Sequence, residues 1–173
     1  PTMAPKRLLL GLISVAVALA AGLFIWLERP RVKAEAPHIF INQTADHRFD
    51  ESIRVSIVAA NRRTGVQNAV YITDCLPADQ TIEDFARRLF QRLEIGRTTG
   101  GRGILYVFVP TQSQLKIETS YALEGVVPDV VVHRLEMAAK TFTFVDRYQD
   151  FWAELINTLN IEIANQSEQP TKT

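Results

Sequence analysis

The chain has 173 residues, of which 47% are hydrophobic and 22% charged, a balance that suits one domain with an appendage. Its formal net charge is zero, so it carries no electrostatic footprint for nucleic acid, and no nucleic-acid partner is expected. Cys75 is the sole cysteine, which excludes an internal disulfide and leaves the redox compartment open; it reads as a small core residue at the end of a strand.

Residues 8–27, LLLGLISVAVALAAGLFIWL, are uncharged and long enough to cross a bilayer at about 1.5 Å per residue. Trp26 stands at the far end of this run, where an indole favours the headgroup region and where contact with a membrane partner is expected. Ala18-Leu19-Ala20 resembles a signal-peptidase site, but the apolar run continues past it, so residues 1–28 are expected to persist as a transmembrane anchor. Lys6 and Arg7 precede the run and Arg29, Arg31 and Lys33 follow it, so flanking charge does not fix its orientation.

Residues 29–45 contain Pro30 and Pro37 and no helical period, and read as an extended juxtamembrane linker. Within it, Ile39, Phe40 and Ile41 are expected to dock on an apolar surface, and so are candidate partner-binding residues. The folded domain is expected over 46–165. A first helix is predicted over 50–63, with Ile53, Ile57 and Ala60 at helical spacing and Gly65 as its stop. Residues 66–73 form a predicted strand broken at Pro77. The second helix, 81–93, opens on Thr81 with Asp84 three residues on, a variant of the capping box. Its apolar face is Ile82, Phe85, Ala86, Leu89 and Leu93, and Gly96 ends it.

Residues 103–109 are continuously apolar, as a strand covered on both faces must be. Pro110 ends the strand, and the alternating residues 115–119 follow as its hairpin partner. The strand–helix–strand unit from 66 to 109 is a right-handed crossover with its two strands parallel. Pro128 and Asp129 open a third helix to about Ala139, and a last helix covers 147–165 with Phe151, Leu155, Leu159 and Ile163 in one stripe. Residues 166–173 are a polar tail. The predicted fold class is α/β: a central mixed sheet sandwiched by helices and preceded by one transmembrane helix.

Sites are sparse in this pattern. The glycine-rich run 96–103 has the look of a phosphate-binding loop but lacks its Lys and Ser/Thr and precedes a strand, so nucleotide binding is not expected and the glycines serve a tight connection. His38, His47 and His133 have no metal-ligand spacing, and His133 reads as a surface side chain of the third helix. No serine has a nucleophile-elbow setting, and no catalytic triad can be assembled. Arg87, Arg88, Arg92, Arg97 and Arg102 read as a solvated helix face continuing into a loop, with contact to anionic lipid or an acidic partner as the lesser reading.

The order of elements over 49–148 resembles the TPM domain, an extracytoplasmic α/β domain of bacteria, chloroplast lumens and some animal membrane proteins. Glu94-Ile95-Gly96 stands where the family has a Gly-Ile-Gly turn, and Arg102-Gly103-Ile104-Leu105 stands at its Asn-Gly-Val-Leu. Ser120-Tyr121-Ala122-Leu123-Glu124-Gly125 stands at its Gly-Tyr-Gly-Leu-Glu-Gly, and Thr64-Gly65-Val66-Gln67 resembles its entry into the first long strand. Pro128-Asp129 resembles the acidic opening of the next helix.

The resemblance implies a domain outside the cytoplasm, on the periplasmic side. It also implies an acidic cluster near the sheet end that binds a divalent cation, and acid phosphatase activity in some plant members. Carried onto this chain, the cluster would be Glu124 and Asp129 with Asp74 as neighbour, holding at most a weak calcium ion. Several departures weigh against it. The family's N-terminal acidic motif has no clear counterpart in residues 42–50, Gly100-Gly101-Arg102 replaces an acidic loop, and the closing motif survives only as residues 144–148. Positive charge beside a cation site disfavours it. The expected role is therefore a non-catalytic accessory or assembly subunit of an integral membrane protein complex, with neither cofactor nor catalytic residue. The alternative is a divalent-metal-dependent acid phosphatase.

Overall fold

The computed structural model describes residues 37–141 and 148–168. The expected anchor, Trp26 and the segment 144–147 lie outside these residues. Among the described residues no helix is long and apolar enough to cross a membrane.

Four strands form one sheet in the order β1 (Ile39–Asn42), β2 (Gln67–Ile72), β3 (Gly103–Val109), β4 (Gln114–Thr119). The first three are parallel and β4 is antiparallel to β3, as expected for two helical crossovers followed by a hairpin. The segment expected to be linker thus supplies an edge strand, with Ile39 opposite Ala69 and Asn42 opposite Ile72. Four residues behind a proline carry too little periodicity to be read as a strand; pairing with β2 decides their conformation.

Between the strands run α1 (Asp50–Thr64) and α2 (Ile82–Arg92), and after them come α3 (Asp129–Thr141) and α4 (Tyr148–Glu168). Gly65 stops α1 in the left-handed conformation, φ +66°, where its N–H donates to the Asn61 carbonyl. The Thr81 hydroxyl caps α2 by accepting from the Asp84 N–H at 3.2 Å. The last helix runs three residues past its expected end, into what read as polar tail.

Both sheet faces are covered, unequally. Val70, Ile72, Ile104, Tyr106, Phe108 and Ile117 face the larger core, built from α1, α3 and α4 and centred on Trp152. Ala69, Tyr71, Leu105, Val107 and Val109 face α2 alone, through Ile82, Ala86 and Leu89. This double coverage is why β3 is buried at all seven positions.

The larger core encloses a polar knot. The Asn68 amide donates to Asn61 Oδ1 at 2.9 Å and to Asn160 Oδ1 at 3.2 Å. Its oxygen accepts from the Tyr106 hydroxyl at 3.1 Å and from Asn160 Nδ2 at 3.0 Å. The knot ties α1, β2, β3 and α4 together, and burial pushes the Tyr106 phenol pKa far above its ordinary value, so the hydroxyl stays a neutral donor. At the β4 edge of the sheet, α3 shields the free side of that strand. Glu136 accepts from the Ile117 N–H at 2.9 Å and from Lys116 Nζ at 2.8 Å, which satisfies an edge donor that would otherwise invite another strand.

Candidate functional site

The two ends of the sheet carry different chemistry. At the carboxyl ends of β1, β2 and β3, where open α/β sheets bind ligands, lies a cleft of about 250 Å³ lined by Thr44, Asp46, Arg48, Phe49, Asp74 and Pro110. Its floor is the β1–α1 connection, folded around Asn42. The Asn42 amide donates to the Asp46 carbonyl and to Asp50 Oδ1, both at 2.8 Å, and its oxygen accepts from the Thr44 N–H at 2.9 Å. Arg48 grips Asp46 with both arms, Nε at 2.9 Å and Nη2 at 2.7 Å. Those hydrogen bonds hold the Asp46 pKa down to about 2, so the carboxylate is ionised at every physiological pH. His47 Nδ1 sits 3.0 Å from Asp50 Oδ2. Asp74 follows β2, where the Thr111 hydroxyl holds its carbonyl at 2.5 Å and its side chain is exposed.

At the opposite end, Glu124 and Asp129 line a groove with Lys116, Glu118, Thr119 and Val132. The three acids carried over from the resemblance therefore do not converge. Thr73, next to Asp74, donates to the Phe108 carbonyl at one end of β3, whereas Ser120 donates to the Gly103 carbonyl at the other. The length of β3 separates them by about 20 Å. The pair Glu124–Asp129 is brought to one groove and Asp74 is not. The carboxylate that does share a cleft with Asp74 is Asp46, in the very segment expected to hold no acidic counterpart. A signal for it was present in the Asp-His-Arg-Phe-Asp run before α1, but only the sheet order puts that run beside the end of β2.

Asp46 and Asp74, with the Thr44 hydroxyl, are the groups that could meet a cation or phosphate in the carboxyl-end cleft, and Arg48 beside them favours an anion. A calcium ion needs about six to eight oxygens. Among the described residues no three His, Cys, Asp or Glu side chains are placed to hold a metal ion together. A wider groove between the start of α2 and α3, lined by Thr81, Gln112, His133 and Glu136, brings no such set together either.

Other sequence candidates fall as follows. Phe40 is buried beneath the guanidinium of Arg54, 4.5 Å from its ring centre, and Ile39 and Ile41 pack against the α2 side of the sheet. Their apolar surface is thus largely used inside the domain. Cys75 is exposed rather than a core residue, because it lies in the turn beyond the last pairing of β2. His133 is exposed on α3, as expected. The glycine run is a packed crossing of two backbones. A Cβ on Gly103 would stand 2.8 Å from the Gly96 nitrogen, and Gly96 itself holds φ +88°.

In the groove at the other end, burial raises the Glu118 pKa, against the attraction of Lys116 and Arg87. A carboxylate with a raised folded-state pKa favours folding below its unfolded value and opposes it as pH rises through the folded one. Glu118→Gln is therefore expected to raise the melting temperature at pH 7 by about 1–2 °C, discounted for the half-exposed side chain, and to give no gain near pH 4. Calorimetry at the two pH values checks this; an equal shift at both would sink the assignment.

The family model of the TPM domain matches residues 48–148, more than half of the chain. The chain belongs to the TPM domain family. Three solved structures share the fold at low identity. The BA42 protein of the psychrophilic bacterium Bizionia argentinensis is 16% identical with a TM-score of 0.59, over 72% of this chain and 86% of that one. The N-terminal domain of a protein from P. gingivalis is 21% identical with a TM-score of 0.50, over 79% and 87%. An N-terminal domain from Corynebacterium glutamicum is 13% identical with a TM-score of 0.50, over 84% and 88%. No curated protein matches the chain. The segment matched by the TPM model starts after β1 and ends where α4 begins, so the edge strand and the helix that carries Trp152 lie outside it.

Proposed function

We propose that this TPM-domain chain is a single-pass, membrane-anchored protein, with its domain on the periplasmic side, that serves as a non-catalytic accessory or assembly subunit of a larger membrane protein complex. The observation that carries this reading is the dispersal of the acids. Glu124 and Asp129 stand at one end of the sheet, Asp74 at the other, and the Asp46 carboxylate is occupied by Arg48. A calcium-type centre takes about six to eight oxygens, several of them from carboxylates, and among the described residues no three His, Cys, Asp or Glu side chains are placed to hold one ion. The uncharged run 8–27 supports attachment to a bilayer.

One observation favours the alternative, a divalent-metal-dependent acid phosphatase. Asp46 and Asp74 share the carboxyl-end cleft with Arg48, a setting suited to a phosphate ester. The two readings separate in one experiment. The full chain, purified in mild detergent, is assayed with a chromogenic phosphate ester with and without calcium or magnesium, and co-purifying membrane proteins are identified. The expected result is no turnover above background and a stoichiometric membrane partner. Metal-dependent turnover that disappears in both Asp46→Asn and Asp74→Asn would overturn the accessory reading.

A further inference from the structure

The outward stripe of α1 is apolar at its centre, where a helix face turned to water is ordinarily polar. Glu51, Val55, Val58 and Arg62 follow one another at four, three and four residues, and so lie in one line along the helix. Away from that line stand Ile53, Ile57 and Ala60, and with them Asn61 and Thr64, all buried. Val55 is 59% exposed, Ala59 is exposed beside it and Val58 is half-buried. The helix thus sends two polar side chains inward, to Asn68 and Asn160, and three apolar ones outward. Val55 forms a ridge between two grooves. One, of about 460 Å³, is lined by His38, Arg54 and Val58 on the β1 side. The other, of about 560 Å³, is lined by Ser52, Ser56 and Ala153 on the α4 side.

We propose that this stripe is the contact between two copies of the chain, their α1 helices packed antiparallel about a two-fold axis. The pattern of the stripe selects the occupant. Its acid is in the first turn and its base in the last, with the valines between. A second copy laid antiparallel sets Val55 of each chain against Val58 of the other, and Glu51 of each against Arg62 of the other, so every layer is matched twice. The helix dipoles are then antiparallel as well. A uniformly anionic surface would be repelled at the Glu51 end, and a uniformly cationic one at the Arg62 end. The neighbouring charges leave this match standing. Asp50 is held by Asn42 and His47, Arg48 by Asp46 and Arg63 by Asn157. Arg54 lies over the Phe40 ring and in this register faces Ala59 of the second copy. Arg62 also takes part in a contact within its own chain, so the end pairs set register and direction while the valines supply most of the attraction. Two helices of 15 residues, each about 22 Å long, bury an area at or below the roughly 1,200 Å² where standard interfaces begin. The dimer is therefore reversible, with a dissociation constant on the order of 100 μM. The inference depends on neither reading of the function.

Sedimentation equilibrium of the full chain in a density-matched mild detergent measures the dimer directly. Val55→Gln with Val58→Gln should weaken association by about tenfold or more. Glu51→Arg and Arg62→Glu should each weaken it by about threefold, because like charges then meet twice. The chain carrying both exchanges should return to within about twofold of the parent, and the two single variants mixed should pair with each other in preference to themselves. All four side chains point away from the core, so circular dichroism should show each variant folded. The charge exchanges oppose the helix dipole and cost some thermal stability, which leaves the association constant as the readout. Residues 8–27 are common to every variant, so a dimer formed through them is indifferent to all of these substitutions. A dimer that ignores the valine pair is therefore formed elsewhere and overturns the proposal, as does a chain that stays monomeric up to about 1 mM. Single charge variants that are weakened but not rescued in the double exchange overturn the antiparallel pairing. A monomeric parent whose valine variant alone loses a co-purifying membrane protein assigns the stripe to that protein and overturns the second copy as its occupant.

Discussion

Leu105→Asp is expected to leave the chain without a cooperative unfolding transition. Leu105 is fully buried at the third position of β3, a strand paired on both sides, and its side chain faces the smaller core under α2. The substitution removes about 2–3 kcal/mol of apolar burial and leaves an uncompensated charge in the interior, which costs about 3–5 kcal/mol more. Domains of this size have about 5–15 kcal/mol of stability in total. The smaller core has no polar group positioned to take the carboxylate, because α2 presents Ile82, Ala86 and Leu89 to the sheet. Circular dichroism on heating should show no sigmoidal loss of signal. A cooperative transition within a few degrees of the parent would refute the burial of this strand.

Asn68→Ala is expected to lower the melting temperature by about 10 °C, from a loss of about 2–4 kcal/mol. The reason is arithmetic at one amide. Asn68 satisfies Asn61, Asn160 and Tyr106 together, and its removal takes the Asn68 oxygen from the buried Tyr106 hydroxyl and unpairs amide groups of the knot. Asn160→Ala attacks the same knot from α4, so the two losses should fall short of additivity by about 1–2 kcal/mol. Urea titrations of the two single variants and the double variant measure that coupling. Strict additivity would mean that the two amides act independently and that the knot is not a unit.

Both predictions concern interactions of which the sequence showed different amounts. Leu105 could be picked out by reading alone, since seven apolar residues in a row between Gly103 and Pro110 admit little but a strand covered on both sides. The asparagines could not. A lone Asn at 61, 68 or 160 reads as surface or turn, and only the packing of α4 against α1 and β2 brings the three within hydrogen-bond reach. The same divide runs through the candidate site. Thr81 as a helix cap, Gly65 as a helix stop and the β3–β4 hairpin follow from residue types a few positions apart, whose interactions are local and cost little chain entropy to form.

Sequence alone thus determined the four helices, the three longer strands, their relative directions and the membership in the TPM family, because each rests on periodicity or on a short ordered motif. Tertiary structure decided what lay between distant segments. It made Ile39–Asn42 an edge strand, which no four-residue pattern could announce. It set Asp74 a sheet length away from Glu124 and Asp129 and beside Asp46 instead, since the end of a sheet at which a loop emerges depends on strand direction and order. Residue type sets what each side chain can do; which of them meet is set by strand pairing over long separations, and that pairing is a property of the folded chain.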